Sequence, residues 1–487
     1  MADFGFVGSS YEAPSIYQDA QECINFFPEA DLTKPQGGRG IVALYPTPGL
    51  TQILQFDNLP VRGMRTLSGG EWLIVVVGQY VYSVNNAYVK TKIGTLTTTS
   101  GNVSITDNVM SDTGLNAYLV DGPNRYYWIA STNTFVTLPS TDGPWQGADV
   151  CEVVDNYIIY NQPGTQAWGC TDLGLVTSSN ALYGVKDGSP DELVSLIVDR
   201  RQVFLMGEFT TEVWTDVGNI VSGIISFPFQ RIPGTSSQHG IAAPFSVARF
   251  GEQFVFVSQD TRGQAIIGAM AGYQFKRIST HAVEQTLMNQ PISDAVAYTY
   301  QLEGHEFYVV SFPSINLTWV YDITTEAWHK WLAWDGSQYN RHRSNCGAIF
   351  NNVYLVGDYQ NGLVYQLDNA VYTDNGNTIR RLRRAPHLVT DFQRQYFAEL
   401  QIQFQPGVGL EIGQGQDPQA MLRWSNDGGS TYSNEHWVSI GMVGKYRNRA
   451  IWRRLGTARD RIFEVVITDP VKAVIVSANL KAEEGEN

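Results

Sequence analysis

The stretch Trp72-Leu-Ile-Val-Val-Val-Gly-Gln-Tyr-Val-Tyr82 reads as an apolar strand, a glycine turn and a second strand bearing tyrosines. A membrane helix needs roughly 18–20 apolar residues, so this short run is a buried strand. The same hairpin returns around Leu119, Ile158, Leu205, Phe256, Val309 and Leu355, at intervals of 39 to 53 residues counted from Val75. A hairpin that recurs about every 40–50 residues is the sequence mark of a β-propeller. One blade cannot cover both of its faces, and neighbours closing a ring supply the core. Residues 55–375 are therefore expected to form a propeller of six to eight blades, seven being favoured. A multi-sheet sandwich of similar hairpins is the alternative. Helical periodicity is scarce, and residues 280–288 are its best short candidate.

Outward from the repeat lie two flanks. Residues 1–54 contain Pro14, Pro28, Pro35, Pro46 and Pro48 with Gly37 and Gly38, which break any helical period. They read as an extended N-terminal arm that packs across its own domain or a neighbour's. After residue 375, alternating segments at 397–404, 420–424, 451–455, 461–467 and 472–480 predict an antiparallel β-sandwich over residues 376–480. The polar tail 481–487 is expected to fray. The whole is an all-β chain.

The 487 residues are 43% hydrophobic and 12% aromatic, enough for a large core, which excludes global disorder. A net charge of −14 argues against coating duplex DNA, because that affinity comes from neutralising phosphates. The charge is uneven: residues 380–487 hold 15 basic and 12 acidic groups, leaving 18 and 35, a net −17, for residues 1–379. Cys23, Cys151, Cys170 and Cys346 form no close pair, which disfavours zinc and suits buried thiols in a reducing compartment. Asp3 stands where a signal peptide would be basic and no apolar segment follows, so a soluble chain without export is expected.

Chemistry-bearing patterns are few. Ser425-Asn-Asp427-Gly-Gly429-Ser-Thr431-Tyr432 matches an Asp-box, in which the carboxylate accepts backbone N–H groups and closes a hairpin turn. Such boxes occur in carbohydrate-active propellers, yet the box itself is a structural turn. Asp155, Asp172, Asp187, Asp191 and Glu192 are acidic loop residues, and a glycosidase would need two of them roughly 5–10 Å apart across a cleft; solvated loops explain them better. The histidines, including His305, His329 and His342, have no HExxH spacing, and no nucleophile elbow, Walker loop or dinucleotide motif is present. No catalytic, cofactor or metal residues are assigned. Trp328, Trp331 and Trp334 could form a sugar platform, but blade packing is the better expectation. Arg380, Arg381, Arg383 and Arg384 form the sharpest basic cluster. Subunit interface is the favoured reading, ahead of a charged strand edge that blocks pairing and of DNA contact.

Two signatures resemble a known family. One is Gln21-Glu-Cys-Ile-Asn25-Phe-Phe-Pro28-Glu29 with Pro46-Thr-Pro48-Gly49-Leu50. The other runs through Trp424–Tyr432, Asn434-Glu-His-Trp437, Arg449-Ala-Ile-Trp452-Arg-Arg-Leu455, Ala458-Arg-Asp-Arg461 and Ile467-Thr-Asp469-Pro470. Together they resemble the tail hub, or nozzle, proteins of short-tailed bacteriophages, also called packaged-DNA stabilisation proteins. The resemblance implies a non-enzymatic virion tail protein, assembled in the host cytoplasm and forming a homo-oligomeric ring, normally a hexamer. That ring would sit below the portal and its adaptor ring, dock tail needle, spikes or fibres, and pass genomic DNA without sequence-specific binding, retaining it until ejection. No cofactor is implied. An acidic channel wall would repel the DNA backbone and let it slide. The runner-up is a carbohydrate-binding or carbohydrate-cleaving propeller acting as a tail receptor-binding protein.

Overall fold

Trp72–Val77 is the second strand of a four-stranded antiparallel sheet made with Val61–Thr66, Tyr80–Asn85 and Lys90–Thr95. Its side chains alternate between two neighbouring blades rather than between core and water. Leu73, Val75 and Val77 pack with Leu54, Leu355 and Val364. Ile74 and Val76 point the other way, onto Ala117, Leu119 and Trp128. Both faces are therefore dry, which is why the strand is apolar at every position instead of every second one.

A computed structural model describes residues 2–485 of this chain except 4, 32–40, 110–113, 219, 222–223, 261 and 392. Seven four-stranded blades form the propeller, one for each copy of the hairpin; five are separate sheets, and the sixth and seventh are parts of larger ones. Their innermost strands are Val61–Thr66, Ser104–Asn108, Cys151–Val154, Leu193–Asp199, Ala248–Phe250, Val296–Leu302 and Ser344–Phe350. All seven line one central cavity of about 290 Å³. The short helix α1, His281–Leu287, falls where periodicity predicts it, and the Thr280 hydroxyl caps it by accepting the Val283 N–H.

The last blade is closed by the other end of the propeller segment. Its outer strand is Gly49–Gln55, which pairs antiparallel with Leu363–Asp368, Gly49 opposite Asp368 and Gln55 opposite Leu363. Hydrogen bonds between distant parts of the chain thus lock the ring without a covalent link. The division expected at residue 54 falls inside this strand, because ring closure needs a strand that local pattern alone assigns to the flank.

The rest of the arm is built into the sandwich. One sandwich sheet has the order Phe26–Ala30, Val42–Pro46, Ile475–Glu484, Gln395–Phe404, Ala450–Arg453. The other runs Ala20–Ile24, Arg381–Arg384, Asp460–Ile467, Gln419–Ser425, His436–Ser439. Phe6, Cys23, Phe26 and Leu44 from the arm pack between the sheets with Phe397, Leu400, Trp452 and Phe463. Far from fraying, residues 481–484 continue the strand Ile475–Glu484, with Glu484 opposite Gln395; alternating polar residues suffice on a strand whose partner fixes the backbone. The expected arm segment 32–40 and the last two residues lie outside the described residues.

Candidate functional site: the joint between propeller and sandwich

Strand Ala20–Ile24 is the bridge between the two domains. It runs parallel to the outer strand of the sixth blade, Ala327–Lys330, with Ile24 opposite Lys330. Its other edge pairs antiparallel with Arg381–Arg384, Cys23 opposite Arg383. One sheet of eleven strands consequently passes from the sixth blade through the arm into the sandwich. A hinge would need a linker free of such pairing; here the two domains share a hydrogen-bonded backbone.

Asn25 follows the bridge at φ 58°, a left-handed conformation that asparagine tolerates better than most residues. Its backbone N–H donates to Lys330 O at 2.9 Å. The side-chain Nδ2 donates to Leu332 O and Arg380 O, both at 2.9 Å, while Oδ1 accepts the Leu332 N–H at 2.9 Å. One buried amide therefore ties propeller backbone to sandwich backbone.

Around it lies a chain of charges. Lys330 Nζ, on the propeller, donates to Glu12 Oε2 at 2.6 Å and to Glu22 Oε1 at 2.7 Å, both on the arm. Glu22 Oε2 is 3.0 Å from Arg384 Nη2 on the sandwich. Arg384 Nε donates to Glu464 Oε2 at 2.9 Å, and Arg423 Nε to Glu464 Oε1 at 2.6 Å. Burial opposes the charge on Arg384, but Glu22 and Glu464 outweigh it and raise its pKa above the usual arginine value. Burial likewise opposes ionisation of Glu22, yet Lys330 and Arg384 hold its carboxyl below the ordinary glutamate value. Alternating signs let these groups stay ionised in a dry place.

The four predicted arginines fall on this joint, and two of them are enclosed within a single chain. Arg383 is fully buried and donates to Phe6 O at 2.6 Å, Ser9 O at 3.0 Å, Glu22 O at 3.3 Å and Gln21 Oε1 at 2.6 Å. Arg381, also fully buried, donates to Asp469 O and Tyr372 O. Burial pushes both guanidinium pKa values down to about 10. Neither side chain is available to a neighbouring subunit, which corrects the interface reading for Arg381 and Arg383. Arg384 is engaged in the internal chain of charges. Arg380 is half-buried, donates to Tyr339 Oη at 2.7 Å and lies over the Trp334 ring. Local sequence shows a basic run but not the arm that neutralises and covers it.

A second tie joins arm and blade. His305 Nδ1 lies 2.7 Å from Asp322 Oδ2, and its Nε2 meets the Glu29 carboxylate on strand Phe26–Ala30. Burial works against protonation, but the two carboxylates prevail and raise the His305 pKa to about 9. Close by, His329 is fully buried, with neither ring nitrogen hydrogen-bonded among the described residues, and burial pushes its pKa down to about 4. His342 is pushed by burial to about 3.

The other candidates are engaged locally. In the Asp-box, Asp427 Oδ1 accepts the Thr431 N–H at 2.9 Å and the Ser425 hydroxyl at 2.7 Å, and Oδ2 accepts the Thr431 hydroxyl at 2.6 Å. The Ser425 hydroxyl oxygen accepts the Gly429 N–H at 2.8 Å, and the Tyr432 ring lies beneath Arg384 and Arg423. Asp191 accepts the Phe209 and Thr210 N–H groups, Asp172 the Ser179 hydroxyl, Asp155 the Arg201 guanidinium, and Asp187 stands 3.7 Å from Arg231. Glu192 is exposed on its loop. Trp328 and Trp331 are 1% exposed, which packs two of the three suggested platform rings inside, and the half-buried Trp334 lies against Arg380. Trp328 donates to Ile278 O at 2.9 Å and Trp331 stacks on His342. The cysteines are free thiols; burial pushes Cys23, Cys151 and Cys346 to about 12, and Cys170 is raised too. No cluster of metal-ligating side chains occurs among the described residues, and no helix there is long and apolar enough to cross a membrane.

The central cavity is spanned by ions near the inner strands. Arg65 Nε is 3.3 Å from Asp107 Oδ1, Arg65 Nη2 is 3.6 Å from Glu152 Oε1, and Arg249 Nη2 is 3.1 Å from Glu152 Oε2. The chain of charges links blades one, two, three and five across the axis. Sequence reading missed this set and also Asn25, Glu22, Lys330 and Glu464. Each partner pair is separated by tens to hundreds of positions, so spacing carries no signal of it.

Three solved structures match this chain at low similarity. A chain of the mitotic checkpoint complex is 14% identical, covers 70% of this chain and 96% of its own length, with TM-score 0.38. Streptogramin B lyase is 9% identical, with coverage 72% and 98% and TM-score 0.40. The Neurospora crassa Pan2 WD40 domain is 9% identical, with coverage 66% and 95% and TM-score 0.38. No curated protein matches. Family models are more informative: that of the bacteriophage P22 Gp10 β-propeller matches residues 23–372, and that of the bacteriophage P22 Gp10 β-sandwich matches residues 380–483. The propeller match begins within the bridging strand and the sandwich match ends in the last one, so this chain belongs to the bacteriophage P22 Gp10 family of phage tail structural proteins.

Proposed function

We propose that this chain is the repeating unit of the tail hub, a ring, normally of six copies, that continues the DNA channel below the portal and its adaptor. In that place it would hold the packaged genome in the filled head and form the conduit for ejection. Tail needle, spike or fibre proteins would dock on it. The observation that carries the reading is the shared sheet at the joint. A hub under internal pressure has to transmit load between its parts, and continuous backbone pairing with a charged, buried seam resists shear better than a flexible linker. The ion chain Asp107–Arg65–Glu152–Arg249 across the propeller axis supports a conduit enclosed between copies rather than one threaded through a single propeller.

The decisive measurement is the DNA content over time of particles assembled without this chain. Heads that fill and then empty bear the proposal out. Heads that stay full on particles unable to bind cells would instead favour the carbohydrate-recognising alternative.

A further inference from the structure

Charge is distributed across the molecule in a way the joint does not use. Residues 104–231, which make blades two to four, carry fifteen acidic and five basic residues, a net −10. Two of the five bases, Arg125 and Lys186, are buried, as are four of the acids, Asp107, Asp121, Glu152 and Glu212. At the opposite end, residues 433–461 of the sandwich carry seven basic and two acidic residues, a net +5. Most of the chain's −14 therefore sits on one flank, and the other flank has the reverse sign.

Three of these seven bases, Lys445, Arg447 and Arg449, stand on a loop, residues 441–449, between His436–Ser439 and Ala450–Arg453, whereas Arg461 is buried and Arg453 pairs with Glu399. These two strands end the two sandwich sheets on the side away from the propeller. Lys445, Arg447 and Arg449 are exposed there, and none of them is ion-paired among the described residues. Apolar side chains stand among them: Tyr446 is 69% exposed, Val443 54%, and Ile412 on the adjoining loop 83%. The two loops are packed together, with Gly409 against the Met442 and Val443 backbone and Gly407 against the Tyr446 ring. Residues this apolar are not left in water for solubility.

The negative flank has matching apolar groups. Tyr183 and Val185 on the outer strand of blade three, and Phe209 on a turn of blade four, are all exposed. Asp187 and Glu192 lie on the exposed loop between these blades. The sandwich is joined to blade six, and in a seven-membered ring blades two and three lie across the axis from blade six. The two patches are thus on opposite sides of one molecule. A closed ring of identical subunits needs that arrangement, two different complementary surfaces meeting head to tail.

We propose that the loop 441–449 of one copy docks on the outer flank of blades three and four of the next, and that this is the contact closing the ring. It rests on the ring reading above and names the surfaces that reading leaves open. Exposed aliphatic and tyrosine side chains facing an acidic complement favour a protein partner over a DNA phosphate backbone, because opposite potentials select partner and register.

The test uses full-length chains supplied to particles that lack this protein, with copies per particle counted by quantitative mass spectrometry and folding checked by circular dichroism. Two variants reverse one patch each, K445E/R447E and D187K/E192K; a third carries all four changes in one chain. The single-patch variants are expected to lose about tenfold or more in incorporated copies, and the four-fold variant to recover, since its acidic loop now meets a basic flank. Recovery is specific to self-association. Failure of the four-fold variant to exceed the single-patch ones overturns the proposal, as does normal incorporation of those variants. If K445E/R447E alone weakens binding of a duplex oligonucleotide while the four-fold change restores nothing, the loop is a DNA contact. If the wild-type chain itself is not incorporated, the hub reading fails as well, which separates that failure from a wrong choice of surface.

Discussion

Asn25 and Leu332 exchange two hydrogen bonds: the Leu332 N–H donates to Asn25 Oδ1 and Asn25 Nδ2 donates to Leu332 O, each at 2.9 Å. The second amide hydrogen goes to Arg380 O on the sandwich side. A 307-residue separation in sequence is thereby reduced to direct contact, and the sixth blade cannot move against the sandwich without breaking it.

Replacing Asn25 by alanine leaves the Leu332 N–H and C=O without their side-chain partner, leaves Arg380 O with only the Tyr339 hydroxyl at 3.4 Å, and puts at φ 58° a residue that tolerates the left-handed region less well than asparagine. Each orphaned group costs about 1–3 kcal/mol, so a loss of about 3 kcal/mol or more in urea unfolding is expected. Hydrogen exchange should also rise selectively at residues 330–332 and 380–384. Exchange spread evenly over the chain would mean that Asn25 is an ordinary core residue.

Glu464 is fully buried between Arg384 and Arg423. Glu464→Gln keeps its shape and removes its charge, leaving two guanidinium groups short of a counter-ion. Removing one partner of a buried pair costs about 3–5 kcal/mol. Equilibrium denaturation should register a loss in that range, and the double change Glu464→Gln with Arg384→Met should recover part of it.

The tie between His305 and Glu29 is sensitive to pH. The folded pKa of about 9 lies above the ordinary 6.5, so protonation favours the folded state. The contribution is fully present below pH 6.5 and is lost as pH rises through about 9. Stability measured from pH 6 to pH 10 should fall more in the wild type than in His305→Gln. Parallel curves would show that the histidine is not the titrating group.

Deleting residues 1–40 removes strands Ala20–Ile24 and Phe26–Ala30 together with the Phe6, Cys23 and Phe26 core groups. The expectation is a folding defect of the sandwich and not merely a failure to clasp a neighbour. Strand Gly49–Gln55 remains, so the propeller should still close. Limited proteolysis should digest residues beyond about 380 first, since opened segments are cleaved preferentially. A truncated chain with a protease-resistant sandwich would refute this.

Glu152 bridges Arg65 and Arg249 across the central cavity. Glu152→Ala is expected to cost about 1–3 kcal/mol, because two arginines lose a shared carboxylate in a largely enclosed place. Glu152→Gln, which keeps one acceptor oxygen for a guanidinium, should cost less. Thermal melts of the two variants give the comparison.

How much of this was legible beforehand differs between the ring and the joint. Val75 and its six counterparts announce the propeller, because every blade repeats the same local problem of a strand dry on both faces. The Asp-box turn was readable for a similar reason: donor and acceptor lie within a few residues. Arg381 and Arg383 were conspicuous, yet their position was not, since the groups that satisfy them come from residues 6–22 and 372–469. The arm looked irregular because its prolines and glycines exclude helix, while its strands exist only as additions to sheets whose other members are hundreds of residues away. Sequence by itself determined what is periodic or local, namely the blades, a ring of six to eight of them, and the turns. Tertiary structure alone decided closure by Gly49–Gln55, the bridge at Ala20–Ile24 and the burial of the basic run, because β-pairing and ion pairing are satisfied through space and leave no fixed spacing along the chain.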